Sequence, residues 1–203
     1  AGQAEAGIAV AVTLPEKGAT HHRTLFCENL HIAADPEAGY DFTVGLSVPG
    51  HWRSYLNRIT VEGNEAMKTG IDCGGSYGPV LAECRVSGSE TGIRFESGGT
   101  PEGMTIDNCE VTECRFGLRV YTSGAEPGMA IRGSLFACTE TGIVLDGKRT
   151  FFITGNRFVQ DGDGEGYTDI RMRYCFSGSI FDNEFTAEKG AAGAVSRRCL
   201  YID

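Results

Sequence analysis

The sequence is short of lysine, of tryptophan and of positive charge. It has four Lys and one Trp, and 27 acidic residues against 18 basic ones give a formal net charge of −9. That balance excludes a general nucleic-acid binder, which needs basic surface to neutralise phosphate. No apolar run is long enough for a membrane span, so membrane insertion is not expected. No segment holds an apolar stripe at helical spacing over a dozen residues. The eight Cys form no CxxC pair. Zinc-like Cys/His spacing, a P-loop, a dinucleotide fingerprint and a Gly-x-Ser-x-Gly elbow are all missing. The first residues, Ala1-Gly2-Gln3-Ala4-Glu5, carry no basic or apolar signal-peptide region and no initiator Met. The sequence therefore reads as a piece of a longer or processed chain.

What the sequence has is glycine, 29 of them, placed at a repeat. A Gly followed by an apolar residue recurs as Gly45-Leu46, Gly70-Ile71, Gly92-Ile93, Gly117-Leu118 and Gly142-Ile143. Asp169-Ile170 and Gly193-Ala194 are weaker copies. A second anchor lies between these, a small polar residue two before an apolar one. It reads Asn57-Arg58-Ile59, Cys84-Arg85-Val86, Cys109-Glu110-Val111, Ser134-Leu135-Phe136, Asn156-Arg157-Phe158 and Asn183-Glu184-Phe185, with Glu28-Asn29-Leu30 as a loose first copy. Short alternating segments such as Ile93-Arg94-Phe95 and Leu118-Arg119-Val120 read as strands. Repeats of about 25 residues made of short strands with Gly turns predict an all-β fold. It is a single-stranded, right-handed parallel β-helix, a solenoid of about seven coils.

Stacking turns each repeat position into a column of like residues. Val48, Cys73, Phe95, Val120, Leu145 and Met172 are expected to face the core in one column. Asn57, Cys84, Cys109, Ser134, Asn156 and Asn183 are expected to form another, in which Asn satisfies buried turn backbone. The cysteines at these places read as reduced core residues rather than disulfides.

The phrases Phe26-Cys27-Glu28-Asn29-Leu30-His31-Ile32 and Leu56-Asn57-Arg58-Ile59-Thr60-Val61-Glu62-Gly63, followed by Thr69-Gly70-Ile71, resemble the pectate lyase-like β-helix superfamily. Within it they are most similar to the β-helix region of phage tailspikes. The resemblance implies a homotrimer that binds, and in many members degrades, a polysaccharide or cell-surface glycan. It implies a place in a virion tail or outside the cell. The superfamily also holds stand-alone polysaccharide lyases, and a non-catalytic structural or adhesin rod is a third reading.

Two outward columns follow the Gly anchor. One carries Asp72, Arg94, Arg119 and Arg171, the other Glu96, Tyr121, Asp146 and Arg173. Together they form a polar stripe of acids, arginines and an aromatic, as a sugar site does. Of the 18 basic residues 14 are Arg, the better donor for planar recognition of carboxylates and sugars. Glu96 and Asp146 sit two coils, about 9.6 Å, apart along the backbone. Side-chain lean could bring them into the roughly 6.5–9.5 Å window of an inverting glycosidase. Asp72 and Glu96 are a second candidate catalytic pair. A lyase would use Arg94 or Arg119 on a uronate carboxylate, with Tyr121 or an Arg moving the proton. The same stripe also fits a plain solvated face or a subunit interface. Trp52 is a candidate stacking platform.

Asp161, Asp163, Glu165 and Asp169 stand at positions 1, 3, 5 and 9 of a Gly-rich stretch that resembles the front of a calcium loop. Position 12 is Met172 rather than the usual Glu. A structural Ca²⁺ is one reading and a plain acidic turn the other. Residues 1–23 read as a lead-in strand or partial coil, and 24–203 as the β-helix domain.

Overall fold

The computed structural model of the protein describes residues 7–12, 24–35, 37, 42–50, 53–97, 103–161, 166–187 and 197–203. Strands dominate, and every strand pairing among the described residues is parallel. Each coil crosses three faces in turn. The first face stacks Phe26–Glu28, Tyr55–Asn57, Val80–Ala82, Met104–Asp107, residues 129–132 and 151–154, and Ser179–Phe181. The second stacks His31–Ala33, residues 60–62, 85–87, 110–112 and 135–138, then Arg157–Gln160 and Glu184–Ala187. The third begins with Gly7–Ala11 and Phe42–Ser47, runs through residues 69–72, 91–97, 116–122 and 141–146, and ends with Tyr167–Arg173 and Arg197–Ile202. Seven coils thus carry all three faces, which is about six full turns from first coil to last. The expected solenoid is the observed fold. The lead-in strand Gly7–Ala11 adds one further rung to the third face, with Ile8 beside Val44 and Val10 beside Leu46.

The core follows from strand alternation applied to stacked coils. The middle residue of each first-face strand points inward, giving Leu56, Leu81, Ile106, Ile131 and Ile153 in register, all fully buried. The second face supplies Val61, Val86, Val111, Phe136 and Phe158. Phe136, Phe158 and Phe185 stack with ring centroids 5.4 and 5.3 Å apart. The third face supplies Leu46, Ile71, Ile93, Leu118, Ile143 and Ile170, and beside them the expected column from Val48 to Met172 is buried throughout. Each such side chain contributes about 1.5–3 kcal/mol on leaving water.

The corner between the first and second faces is made the same way in every coil. One residue there adopts left-handed backbone: Asn29, Arg58, Glu83, Asn108, Gly133, Gly155 and Asp182, with φ between 50° and 63°. The residue after it turns inward. Cys109 N–H donates to Ser134 Oγ at 3.1 Å, Ser134 N–H to Asn156 Oδ1 at 3.0 Å, and Asn156 N–H to Asn183 Oδ1 at 3.0 Å. The Asn156 and Asn183 amides also donate to the carbonyls of Ile131 and Ile153. This ladder is the polar column expected from sequence, with one correction. Val61 pairs with Val86, so Ile59 stands over Cys84 and Asn57 stands over Ala82. Asn57 is therefore on the outside of the first face, its amide reaching Glu28 at 3.4 Å. The sequence motif slipped by two residues because the left-handed corner residue breaks the in–out alternation.

On the third face the glycines are required by space. A Cβ on Gly92 would lie 2.4 Å from Val111 Cγ1 and 2.8 Å from the Gly117 carbonyl. One on Gly117 would lie 2.5 Å from the Gly142 carbonyl and 2.8 Å from Phe136. The corner brings second-face side chains under this column, so no side chain fits. The column ends differently. Asp169 follows Gly142, and the last rung is Leu200 against Ile170, which places Cys199 above Asp169. Gly193-Ala194, expected as the last anchor, lies outside the described residues. The Asp169 carboxylate is fully buried and accepts two bonds from Arg197, at 2.6 and 2.9 Å. Burial pushes its carboxyl above the ordinary aspartate range, and Arg197 draws it back.

Three substitutions check this account. Gly117→Ala should cost about 1–3 kcal/mol in urea unfolding, because the nearest obstacle is backbone. Gly7→Ala, with nothing within 4 Å of the added carbon, should change stability by less than about 0.5 kcal/mol. Arg197→Met should cost about 3–5 kcal/mol at neutral pH by leaving a buried charge alone. The folded variant then takes up a proton on Asp169 more readily than the unfolded chain does. The deficit should shrink as pH falls through the window above the unfolded aspartate value, and a pH series of urea midpoints reads it.

Candidate functional site: a charged stripe on the third face

The stripe is built by register. Ser47, Asp72, Arg94, Arg119, Val144, Arg171 and Tyr201 are successive partners in one outward column. Glu96, Tyr121, Asp146 and Arg173 are successive partners in the next. Every outward residue expected from sequence therefore lies on one continuous surface.

Within it the carboxylates differ. Asp72 Oδ2 accepts from Arg94 at 2.7 Å, and its Oδ1 accepts from the Gly74 N–H at 3.1 Å. Asp146 Oδ2 accepts two bonds from Arg173, at 2.5 and 3.0 Å. Glu96 is the open one, its carboxylate 3.9 Å from Arg94 and its side chain exposed. Glu96 and Asp146 flank the same rung, since Tyr121 is the partner of both. Their backbones are thus two coils apart, and one of the two carboxylates, Asp146, is already held by a guanidinium.

The arginines are the more unusual feature. Arg94 and Arg119 stand directly over one another, an arrangement that like charges make unfavourable. Asp72 and Glu96 offset it at Arg94, and the hydrogen bond to Asp72 raises the hold of that guanidinium on its proton against the opposing effect of burial. Arg119 has no carboxylate within salt-bridge distance among the described residues. It lies between rings instead, 4.9 Å from the Phe116 centroid and 5.2 Å from that of Tyr121, and donates to the Tyr121 hydroxyl at 3.2 Å. The Nε atoms of both Arg94 and Arg119 are buried with no hydrogen-bond partner. Arg171 stands over the Tyr201 ring at 5.7 Å. Phe116 was not singled out from the sequence. It replaces Thr in the column Thr69, Thr91, Phe116, Thr141, and that break in the repeat is the signal that marks it.

Other candidates are not gathered at this surface. Trp52, Asp163 and Glu165 lie outside the described residues. Of the four oxygen ligands expected of a calcium loop, Asp161 is half-buried, and Asp169 is spent on Arg197 rather than turned to a cation. That is a correction to its reading as a metal ligand. Among the described residues no three His, Cys, Asp or Glu side chains converge on a metal position. Three of the buried thiols, Cys73, Cys114 and Cys138, are poor ligands as they stand. Burial pushes Cys114 up to about 11 and raises Cys73 and Cys138 well above the ordinary thiol range, whereas a metal takes the thiolate. All eight cysteines are free. No helix among the described residues is long and apolar enough to cross a membrane.

Comparison with known proteins agrees with the architecture. No curated protein and no solved structure matches the chain. A family model described as periplasmic copper-binding protein (NosD), a parallel β-helix family, matches residues 53–197, more than two thirds of the chain. The β-helix part of the sequence resemblance is thereby supported, and the tailspike part rests on the sequence alone. On the strength of that match across the stacked coils, the chain belongs to the NosD family.

Proposed function

We propose that this β-helix recognises a polysaccharide containing acidic sugars along its third face. The observation that carries the reading is the stacked pair Arg94 and Arg119 with Tyr121 beside it. An acidic chain keeps two guanidiniums one coil apart, both with an unpartnered buried Nε and one of them held between aromatic rings. Arginine offers a planar fork to a carboxylate, and the Tyr ring offers a stacking surface to a sugar. Successive coils about 4.8 Å apart repeat these donors along the rod, which suits a linear polymer better than a small solute.

Recognition is favoured over cleavage by the state of the acids. A hydrolase needs one carboxyl that holds a proton over the leaving oxygen and one that activates water. Asp72 and Asp146 are instead tied to Arg94 and Arg173, which leaves Glu96 as the one available group of the three. A lyase, with Arg119 on the uronate carboxylate and Tyr121 moving the proton, is the second reading, favoured by the hydrogen bond between those two side chains. The assembly expected from the resemblance, a tailspike-like homotrimer in a virion tail, is a finer form of the same proposal. The family description points instead to a periplasmic setting.

The copper of the family description does not fit the residues described here. Copper sites use thiolate, thioether or imidazole ligands. Cys73, Cys84, Cys109, Cys114 and Cys138 are buried in the core, Cys27, Cys175 and Cys199 join no cluster of His, Cys, Asp or Glu among the described residues, Met67, Met104, Met129 and Met172 are buried, and His31 is exposed against Glu62 at 3.2 Å. His21, His22 and His51 lie outside the described residues. No step is therefore derived through copper.

The reading is checked by incubating the protein with uronate-containing and neutral capsular polysaccharides and following both binding and chain length. Binding to the acidic polymers without shortening is expected. Arg119→Ser should weaken it about tenfold or more, the worth of a lost charge-assisted hydrogen bond. Shortening that disappears in Glu96→Gln or Asp146→Asn would convert the module into a hydrolase. No binding to any of the polymers would overturn the proposal.

A further inference from the structure

A second surface on the first face is unlike the stripe. Phe26, Tyr55 and Tyr77, with Arg53 and Ser54 between them, line an open groove of about 660 Å³ where the first coils meet. Phe26 and Tyr55 are partners in register, both facing out, with ring centroids 6.2 Å apart and planes at 53°. Phe26 is 72% exposed, which no packing need explains. The far wall is glycine: Gly78 and Gly103 both take left-handed backbone, and a Cβ on Gly103 would meet the Gly78 Cα at 3.6 Å. Two features make this more than an apolar patch. Among the described residues the lining carries one cation, Arg53, and no carboxylate, in a chain whose net charge is −9. And Ser54, fully buried at the groove, has an Oγ with no hydrogen-bond partner. Buried polar groups are nearly always satisfied, so an orphan hydroxyl in a groove wall implies a ligand that completes it.

We propose that this groove is a second glycan subsite, one that holds a single acidic sugar unit of the polymer. The inference rests on the glycan reading above. Tyr55 and Phe26 would take the apolar face of the ring, as aromatic platforms do. Ser54 Oγ would bond a ring hydroxyl, and the Arg53 guanidinium would meet the carboxylate. The groove lies on the first face and the stripe on the third, so the two bind different stretches of chain. A polymer holding both gains avidity that a short oligomer cannot.

The test uses oligogalacturonate and oligomannuronate, their methyl esters, and the long polymers, with binding read by calorimetry. The acidic oligomers should bind wild type and the esters at least about fivefold more weakly. Tyr55→Ala should weaken oligomer binding about tenfold, and Arg53→Ser should abolish the preference for acid over ester. Ser54→Ala should weaken binding with no fall in melting temperature, because its hydroxyl has no internal bond to lose. A purely structural role would lower that temperature and leave binding alone. Binding that is indifferent to all three substitutions but lost in Arg119→Ser would overturn the groove and keep the third-face site. No binding of any of these sugars to wild type would overturn both.

Discussion

Parallel backbone hydrogen bonds between one coil and the next hold each residue above its counterpart about 25 residues earlier. Nearly everything else in the molecule is a consequence of that registration. Because strands stack about 4.8 Å apart, any side chain chosen once is presented again at contact distance in the next coil. Apolar choices become columns, and those columns are the core. A corner that must turn with one left-handed residue does so in all seven coils. A place too tight for a Cβ is tight repeatedly, which is why Gly45, Gly70, Gly92, Gly117 and Gly142 stand in line. Charges obey the same rule. Arg85 meets Glu110, Arg132 meets Asp107, Arg115 meets Glu140 and Arg173 meets Asp146, each pair one coil apart. Exposed pairs of this kind add little stability singly. They do decide which charges are left over.

Much of this was legible in the sequence because the repeat itself is legible. The Gly anchor fixes the third face, and both outward columns, from Asp72 to Arg171 and from Glu96 to Arg173, follow from it without error. The second anchor was harder. Its residue type changes from Ile59 through Cys84, Cys109 and Ser134 to Asn156, since an inward corner place accepts an apolar, thiol, hydroxyl or amide group. The matching left-handed residue varies as freely, from Asn29 to Arg58 to Gly133, so neither signalled the register alone. Asn57 was drawn into the wrong column for that reason.

Partnership was not legible. Periodicity places Asp146 and Asp169 on their coils but says nothing of Arg173 and Arg197 closing on them from the next. That difference turns a candidate acid and a candidate metal ligand into halves of ion pairs. The first-face groove was invisible for another cause. Tyr77 and Arg53 come from the loops between the third and first faces, which vary in length from coil to coil and carry no repeat. Arg119 lies between its rings with no carboxylate within salt-bridge distance among the described residues, and this cation directs the functional reading toward an anionic polymer.

The most direct test is to map which arginines a bound polymer covers. The protein would be treated with an arginine-modifying dicarbonyl, with and without a saturating uronate polysaccharide, and the modified sites read by peptide mass spectrometry. The account predicts protection of Arg94, Arg119 and Arg171, while Arg85, Arg115 and Arg157 elsewhere on the coils stay reactive. Equal reactivity at Arg119 with and without the polymer, or protection spread evenly over all exposed arginines, would contradict it.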